Sequence, residues 1–183
     1  MIAKVQATIQ DLYNTPEKAE IVNGELQVMS PTGGAPGYAG DEIFAGLHAY
    51  AKQTRKGRAV SDNKAFRVNL PNRASFSPDA AFYIDVDPGM KFYEGAPIFA
   101  VEVRSEGDYG PKAEWAISEK RCDYFAAGTQ VVWDVDLLSR DIIKAYRATA
   151  PDTPVIYRYG DIAEAEPAVL GWRMPVADLF PPT

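Results

Sequence analysis

The stretch PIFAVEVRSEGDYGPKAEWAISEKRCDYFAAG, from Pro97 to Gly128, sets the terms for the rest of the chain. It opens with Ile98-Phe99-Ala100-Val101 and runs on to Val103, broken only by Glu102. An apolar run of this length, between Pro97 and the Ser105/Gly107 turn, reads as a strand buried on both faces. A carboxylate in such a strand is costly unless something compensates it. From Pro111 to about Ala127 the spacing becomes helical, with Ala113, Ala116, Ile117, Tyr124 and Ala127 on one face. Lys120 falls on that same face, where an ammonium also needs a partner. A Glu misplaced on a buried strand, followed by a Lys misplaced on a packed helix face, is the anomaly the remaining sequence has to explain.

Before this stretch, Thr8 can cap a short helix from Ile9 to Asn14 that Pro16 ends. Glu20-Ile21-Val22 and Leu26 to Met29 flank Asn23-Gly24, a strong hairpin signal. A long helix is expected from about Gly37 to Thr54, with Ile43, Phe44, Leu47, Tyr50 and Ala51 on one face and Gly57 as its stop. His48, the only histidine, stacks one turn above Phe44 and reads as a packed flank residue. Short strands are expected at 59–61, 66–68 and 80–84, with loops at 72–77 and 85–95. After it, 129–134 and 142–146 read as two strands joined by a turn at 137–140. Val155-Ile156-Tyr157 and a last apolar stretch, Val176 to Phe180, close the chain. Helix, hairpin, helix, strands, helix, strands is the order of an α/β domain, with a mixed sheet and a helix on each face.

Length and composition bound the reading further. At 183 residues the chain is expected to fold as one domain, 1–183. A single cysteine, Cys122, rules out an internal disulfide, and the Cys and His content rules out a zinc motif. The N-terminal stretch lacks the basic and apolar segments of a secretory signal, and no apolar window is long enough to span a bilayer. A cytoplasmic protein without a membrane partner is therefore expected. Net charge is −6, but from Lys52 to Arg73 seven basic residues face one acid, Asp62. That local excess suits a phosphate-facing surface as well as it suits a solvated helix end and polar hairpin.

Ser77-Pro78-Asp79 supplies the missing partner. Asp79 starts one strand and Glu102 ends another, so in an antiparallel pair the two carboxylates would meet at one end of the sheet. Hard cations such as Mg²⁺ take oxygen ligands of this kind, with waters and a substrate phosphate completing the shell. Lys120 on the next helix could point at the same place and offset charge there. A purely structural ion-pair network is the rival reading, although a buried pair often costs more in desolvation than it returns.

Ser77-Pro78-Asp79, then Val101-Glu102-Val103-Arg104-Ser105, then Lys120 ahead of Tyr124 to Gly128 and Val132-Trp133-Asp134, resembles the Uma-two family of restriction-endonuclease-like proteins, within the PD-(D/E)XK superfamily. The opening hairpin, Glu20 to Leu26 followed by Met29-Ser30-Pro31, agrees, and the resemblance runs from about Thr8 to Phe180. It implies a restriction-endonuclease-like core with an N-terminal hairpin, and a Mg²⁺- or Mn²⁺-dependent endonuclease acting on nucleic acid, DNA foremost. Asp79 and Glu102 would be the metal ligands and Lys120 the catalytic lysine. In the superfamily's usual form the lysine sits two residues after the second acid, which here is Arg104, a phosphate-binding group at most. The resemblance implies that the lysine has moved to the following helix. It also offers Glu42 as a supporting acid on the first long helix, and a homodimer, so that two sites face two strands. The alternative is a nuclease fold without catalysis, binding nucleic acid or a protein partner.

Overall fold

The computed structural model describes residues 6–182; residues 1–5, part of the stretch expected to lack a secretory signal, and residue 183 lie outside it. Helix α1 (Ile9–Tyr13) begins at Thr8, whose hydroxyl accepts from the Asp11 N–H while the Asp11 carboxylate accepts from the Thr8 N–H, a reciprocal cap. The hairpin follows as β1 (Ala19–Val22) and β2 (Glu25–Val28), with Asn23 and Gly24 at φ 52° and 72° as its tight turn demands. Helix α2 (Gly34–Thr54) starts three residues earlier than its apolar spacing predicts. Pro36 sits in its first turn, where no N–H is required of it.

Strands β3 (Arg58–Ser61), β4 (Phe66–Arg67), β5 (Ser75–Phe76), β6 (Ala80–Tyr83), β7 (Tyr93–Glu94) and β8 (Phe99–Val103) come next. The residues expected as loops at 75–76 and 93–94 instead form β5 and β7, which flank β4 in a small three-stranded sheet. Helix α3 (Pro111–Ala126) leads to β9 (Val131–Val135), β10 (Ile143–Arg147) and β11 (Ala150–Tyr157). β11 reaches well past the three residues expected of it. It contains Pro151 and Pro154, which an edge strand tolerates because one side of its backbone needs no partner. A two-stranded sheet, β12 (Ile162–Glu164) and β13 (Arg173–Pro175), and a short 3₁₀ turn at Val176–Leu179 end the chain. Among the described residues no helix is long and apolar enough to cross a membrane.

The central sheet has six strands in the order β11-β10-β9-β8-β6-β3. β8 and β9 run parallel, joined across α3, and the other neighbours are antiparallel. Strand alternation gives each face its own core. Phe82, Phe99, Val101, Val103, Trp133 and Val135 pack with Ile43 and Leu47 of α2. On the other face Ala81, Tyr83, Ala100 and Val132 pack with Tyr124 of α3. The architecture is the expected α/β one, a mixed sheet between two helices.

Where α2 turns into β3, Gly57 lies at φ +60°, and a Cβ there would stand 2.5 Å from Phe82 Cε1 and 2.8 Å from the Tyr83 carbonyl oxygen. Gly57→Ala is therefore expected to lower stability by about 2 kcal/mol, measured by urea denaturation.

Candidate active site

The register of β6 and β8 builds the floor of the site. Ala80 pairs with Val101, Ala81 with Ala100 and Phe82 with Phe99, so Asp79, one residue ahead of this ladder, comes to the Val101–Val103 end of β8. The Asp79 N–H donates to the Val101 carbonyl (3.0 Å), and its Oδ2 accepts the Val103 N–H (2.7 Å). Glu102 shares the α3 face of the sheet with Ala100. On α3, Lys120 and Tyr124 are one turn apart and both reach it. Lys120 Nζ lies 2.8 Å from Glu102 Oε2, and the Tyr124 hydroxyl donates to Oε1 at 2.6 Å. Asp79, Glu102 and Lys120 thus line one cleft of about 530 Å³, rimmed by Ser30 to Thr32 and by Ser105, Gly107 and Asp108.

Three further groups complete the cluster, and sequence reasoning did not single them out. Glu20, on β1, is buried and accepts from Lys120 Nζ (2.9 Å), an Arg73 guanidinium N–H (2.6 Å) and the Ser77 N–H (2.7 Å). Its signal was Ala19-Glu20-Ile21, a carboxylate between apolar residues, the same anomaly as Glu102. Arg73 had been counted among the surface basics. It is buried against Phe76 and also bonds Asp123 of α3 (2.8 Å). Lys18 Nζ sits 2.6 Å from both Asp79 Oδ1 and Asp62 Oδ1. Along these contacts five carboxylates (Glu20, Asp62, Asp79, Glu102, Asp123) meet three cations (Lys18, Arg73, Lys120), an excess of two negative charges when all are ionised.

The electrostatics divide the two glutamates that grip Lys120. Burial opposes ionisation of Glu20, but Lys120 and Arg73 outweigh it and hold its carboxyl below the usual range. Burial dominates at Glu102: Lys120 pulls its carboxyl down, Asp79 and Glu20 push it up, and the net shift is upward. For Lys120 burial favours the neutral amine, yet Glu102 and Glu20 more than reverse this, so it stays an ammonium. Burial, with Glu102 and Glu20 adding to it, raises Tyr124 well above its normal value and keeps it a phenol donor.

Not every expected residue joins the site. Arg104 borders the cleft, but its Nε and Nη2 bond both oxygens of Asp134 at 2.7 Å and it also grips Glu114, so its charge is already matched and it is no open phosphate clamp. Glu42 is not brought to Asp79 and Glu102. It borders a separate groove with Tyr38 and Asp178, because α2 passes Asp79 with Gly40 and turns Tyr38 and Glu42, one turn apart, to another side. The basic stretch also divides. Lys52, Arg55, Lys56 and Arg58 stand toward the end of the sheet where β3 pairs with Tyr83, away from the acids. Arg67 pairs with exposed Glu94, Lys64 bonds Ser61 and the Asp62 carbonyl, and only Arg73 reaches the cleft. His48 does stack on Phe44, ring centroids 5.4 Å apart.

The donor set suits the divalent cation that the resemblance implies. Asp79 and Glu102 offer four hard oxygens, each accepting one hydrogen bond and retaining a further lone pair. Among the described residues no group of three or more His, Cys, Asp or Glu is arranged to hold a metal ion. The fit is therefore to an ion that keeps waters and takes substrate oxygens, as Mg²⁺ does. The two uncompensated negative charges are the amount that one such ion neutralises.

Because the Glu20 carboxyl is depressed, the stability it contributes is present above its ordinary value of 4.5 and is lost as pH falls through its lower folded value. Glu102 has the opposite sign, since ionising it as pH rises costs the folded state. Urea titrations at pH 7 should show Glu20→Gln costing about 3 kcal/mol and Glu102→Gln clearly less, with the gap closing at pH 3.

A family model described as "Putative restriction endonuclease", Uma2, matches residues 7–177. Among solved structures, a protein from Anabaena variabilis described as "a putative nuclease belonging to DUF820" superposes with a TM-score of 0.72. The two sequences are 17% identical over 95% of this chain and 97% of that one, a likeness that speaks for the fold alone. No curated protein matches the sequence. With the matched segment reaching from just ahead of α1 into the closing 3₁₀ turn, the chain belongs to the Uma2 family of restriction-endonuclease-like proteins, whose membership supports a nuclease-like function.

Proposed function

We propose that this protein is a divalent-metal-dependent endonuclease that hydrolyses nucleic-acid phosphodiester bonds, DNA foremost, in the cleft floored by Asp79 and Glu102. The observation that carries this reading is the meeting of those two carboxylates with Lys120 in one cleft of a Uma2 chain. Asp79 and Glu102 would hold Mg²⁺ or Mn²⁺, which when bound polarises the attacking water and offsets charge on the phosphate. Lys120 is fixed by Glu20 and Glu102 and stays protonated. It acts as a preorganised donor to the developing negative charge and not as the base. Tyr124 holds Glu102 through Oε1, which fixes that carboxylate against α3 with its Oε2 on Lys120. The lysine thus serves from the helix after the strand, in place of Arg104. On this reading the protein is cytoplasmic and acts as a homodimer, so that two clefts would face two strands.

A non-cleaving, nucleic-acid- or protein-binding module is the second reading. The cleft's own cations, Lys18, Arg73, Lys120 and Arg104, are all matched by carboxylates, and Lys52, Arg55, Lys56 and Arg58 of the basic stretch lie toward the other end of the sheet.

Incubation with supercoiled plasmid decides between them. The wild type should nick or linearise plasmid with Mn²⁺ and not in chelator, and Lys120→Ala should lower the rate by about a hundredfold or more with its circular dichroism unchanged. Equal cleavage by that variant would sink the role given to Lys120. Mn²⁺ binding without cleavage by the wild type favours the second reading. Light scattering should give twice the 20.1 kDa of one chain.

A further inference from the structure

Lys18 lies just ahead of β1, and its carbonyl accepts the Met29 N–H (2.9 Å), so the hairpin fixes the point from which its side chain departs. The ammonium is largely buried and divides itself between two carboxylates, 2.6 Å from Asp79 Oδ1 and 2.6 Å from Asp62 Oδ1. The partners differ in setting. Asp79 is enclosed and has its other oxygen committed to the Val103 N–H, whereas Asp62 stands more open, in the turn after β3.

We infer that Lys18 is the resident counter-ion of Asp79, competing with a divalent cation for that carboxylate and passing to Asp62 when the cation binds. This rests on the metal-dependent reading above and adds a control on metal occupancy at the same site. A cation entering at Asp79 meets a like charge already in contact with the oxygen it needs, and the repulsion between the two is large at such range. A buried ammonium stripped of its only partner would pay heavily in desolvation. Asp62 removes that obstacle, since it already bonds the same nitrogen and lets Lys18 leave Asp79 without becoming unpaired. Lys18 is thus a positioning residue that holds Asp79 oriented, and the charge balanced, until metal arrives.

The test is Mn²⁺ affinity by isothermal titration calorimetry on the full chain, independent of cleavage. Lys18→Gln keeps a hydrogen-bond donor for Asp79 and loses the charge, and should tighten Mn²⁺ binding by about tenfold. Asp62→Asn should weaken binding in the wild type but not in the Lys18→Gln background, whereas a plain through-space charge effect of Asp62 would persist in both. Wild-type binding that Lys18→Gln leaves unchanged or weakens overturns the inference and spares the metal reading. No binding by either protein overturns both. Should Lys18→Gln lose the circular dichroism of the folded chain, Lys18→Arg serves instead. It keeps the charge and grips Asp79 with a fixed fork, so it should weaken Mn²⁺ binding, and tighter binding there overturns the inference.

Discussion

A single ammonium between two carboxylates organises the molecule around the cleft. Lys120 comes from α3, Glu20 from the N-terminal hairpin and Glu102 from the middle of the sheet, and they meet at one nitrogen. Arg73 closes a second loop through the same elements, joining Glu20 to Asp123 one turn from Lys120. None of these charges is affordable alone in its setting, because each would sit in a place from which water is largely removed. The hairpin, the helix and the sheet are therefore bound to a common arrangement, in which loss of any one partner strands the others. The same arrangement holds Lys120 protonated, which decides the kind of chemistry it can do.

Much of this was legible because strands and helices have fixed periods. The meeting of Asp79 and Glu102 at one end of the sheet follows once their strands are antiparallel neighbours, and Lys120 betrays itself by standing on an apolar helix face. Glu20 carried an equal signal between Ala19 and Ile21, but the Asn23-Gly24 turn commanded the reading of that segment. Arg73 was hidden by composition, since within a run of basic residues nothing local marks the one that turns inward. Arg104 was seen as a departure from the superfamily's form, but Asp134 and Glu114 lie too far along the chain for their grip on it to be read. Short strands such as β5, β7, β12 and β13 have too few residues to show a period, and the two prolines of β11 argued against a strand that only its edge position permits.

Of the two readings that the basic stretch allowed, a phosphate-facing surface and a solvated helix end with a polar hairpin, the fold favours the second: most of the stretch lies toward the end of the sheet away from the acids, and the cleft is left net negative. A polyanion approaching such a cleft is repelled until cations intervene. Within the proposed mechanism, metal occupancy is thus a condition for substrate entry as well as for hydrolysis.

The clamp on Arg104 has a mechanical side. Its guanidinium ties β8 to β9 through Asp134 and, through Glu114, to the first turn of α3. Glu114 and Lys120 are six residues apart on one rigid helix, a distance of about 9 Å along its axis. The position where a superfamily member would keep its lysine therefore acts here as the bearing on which the helix is seated, and the orientation of that seat sets where the relocated lysine points. Strand position and helix position have become one lever, with the chemistry at its far end.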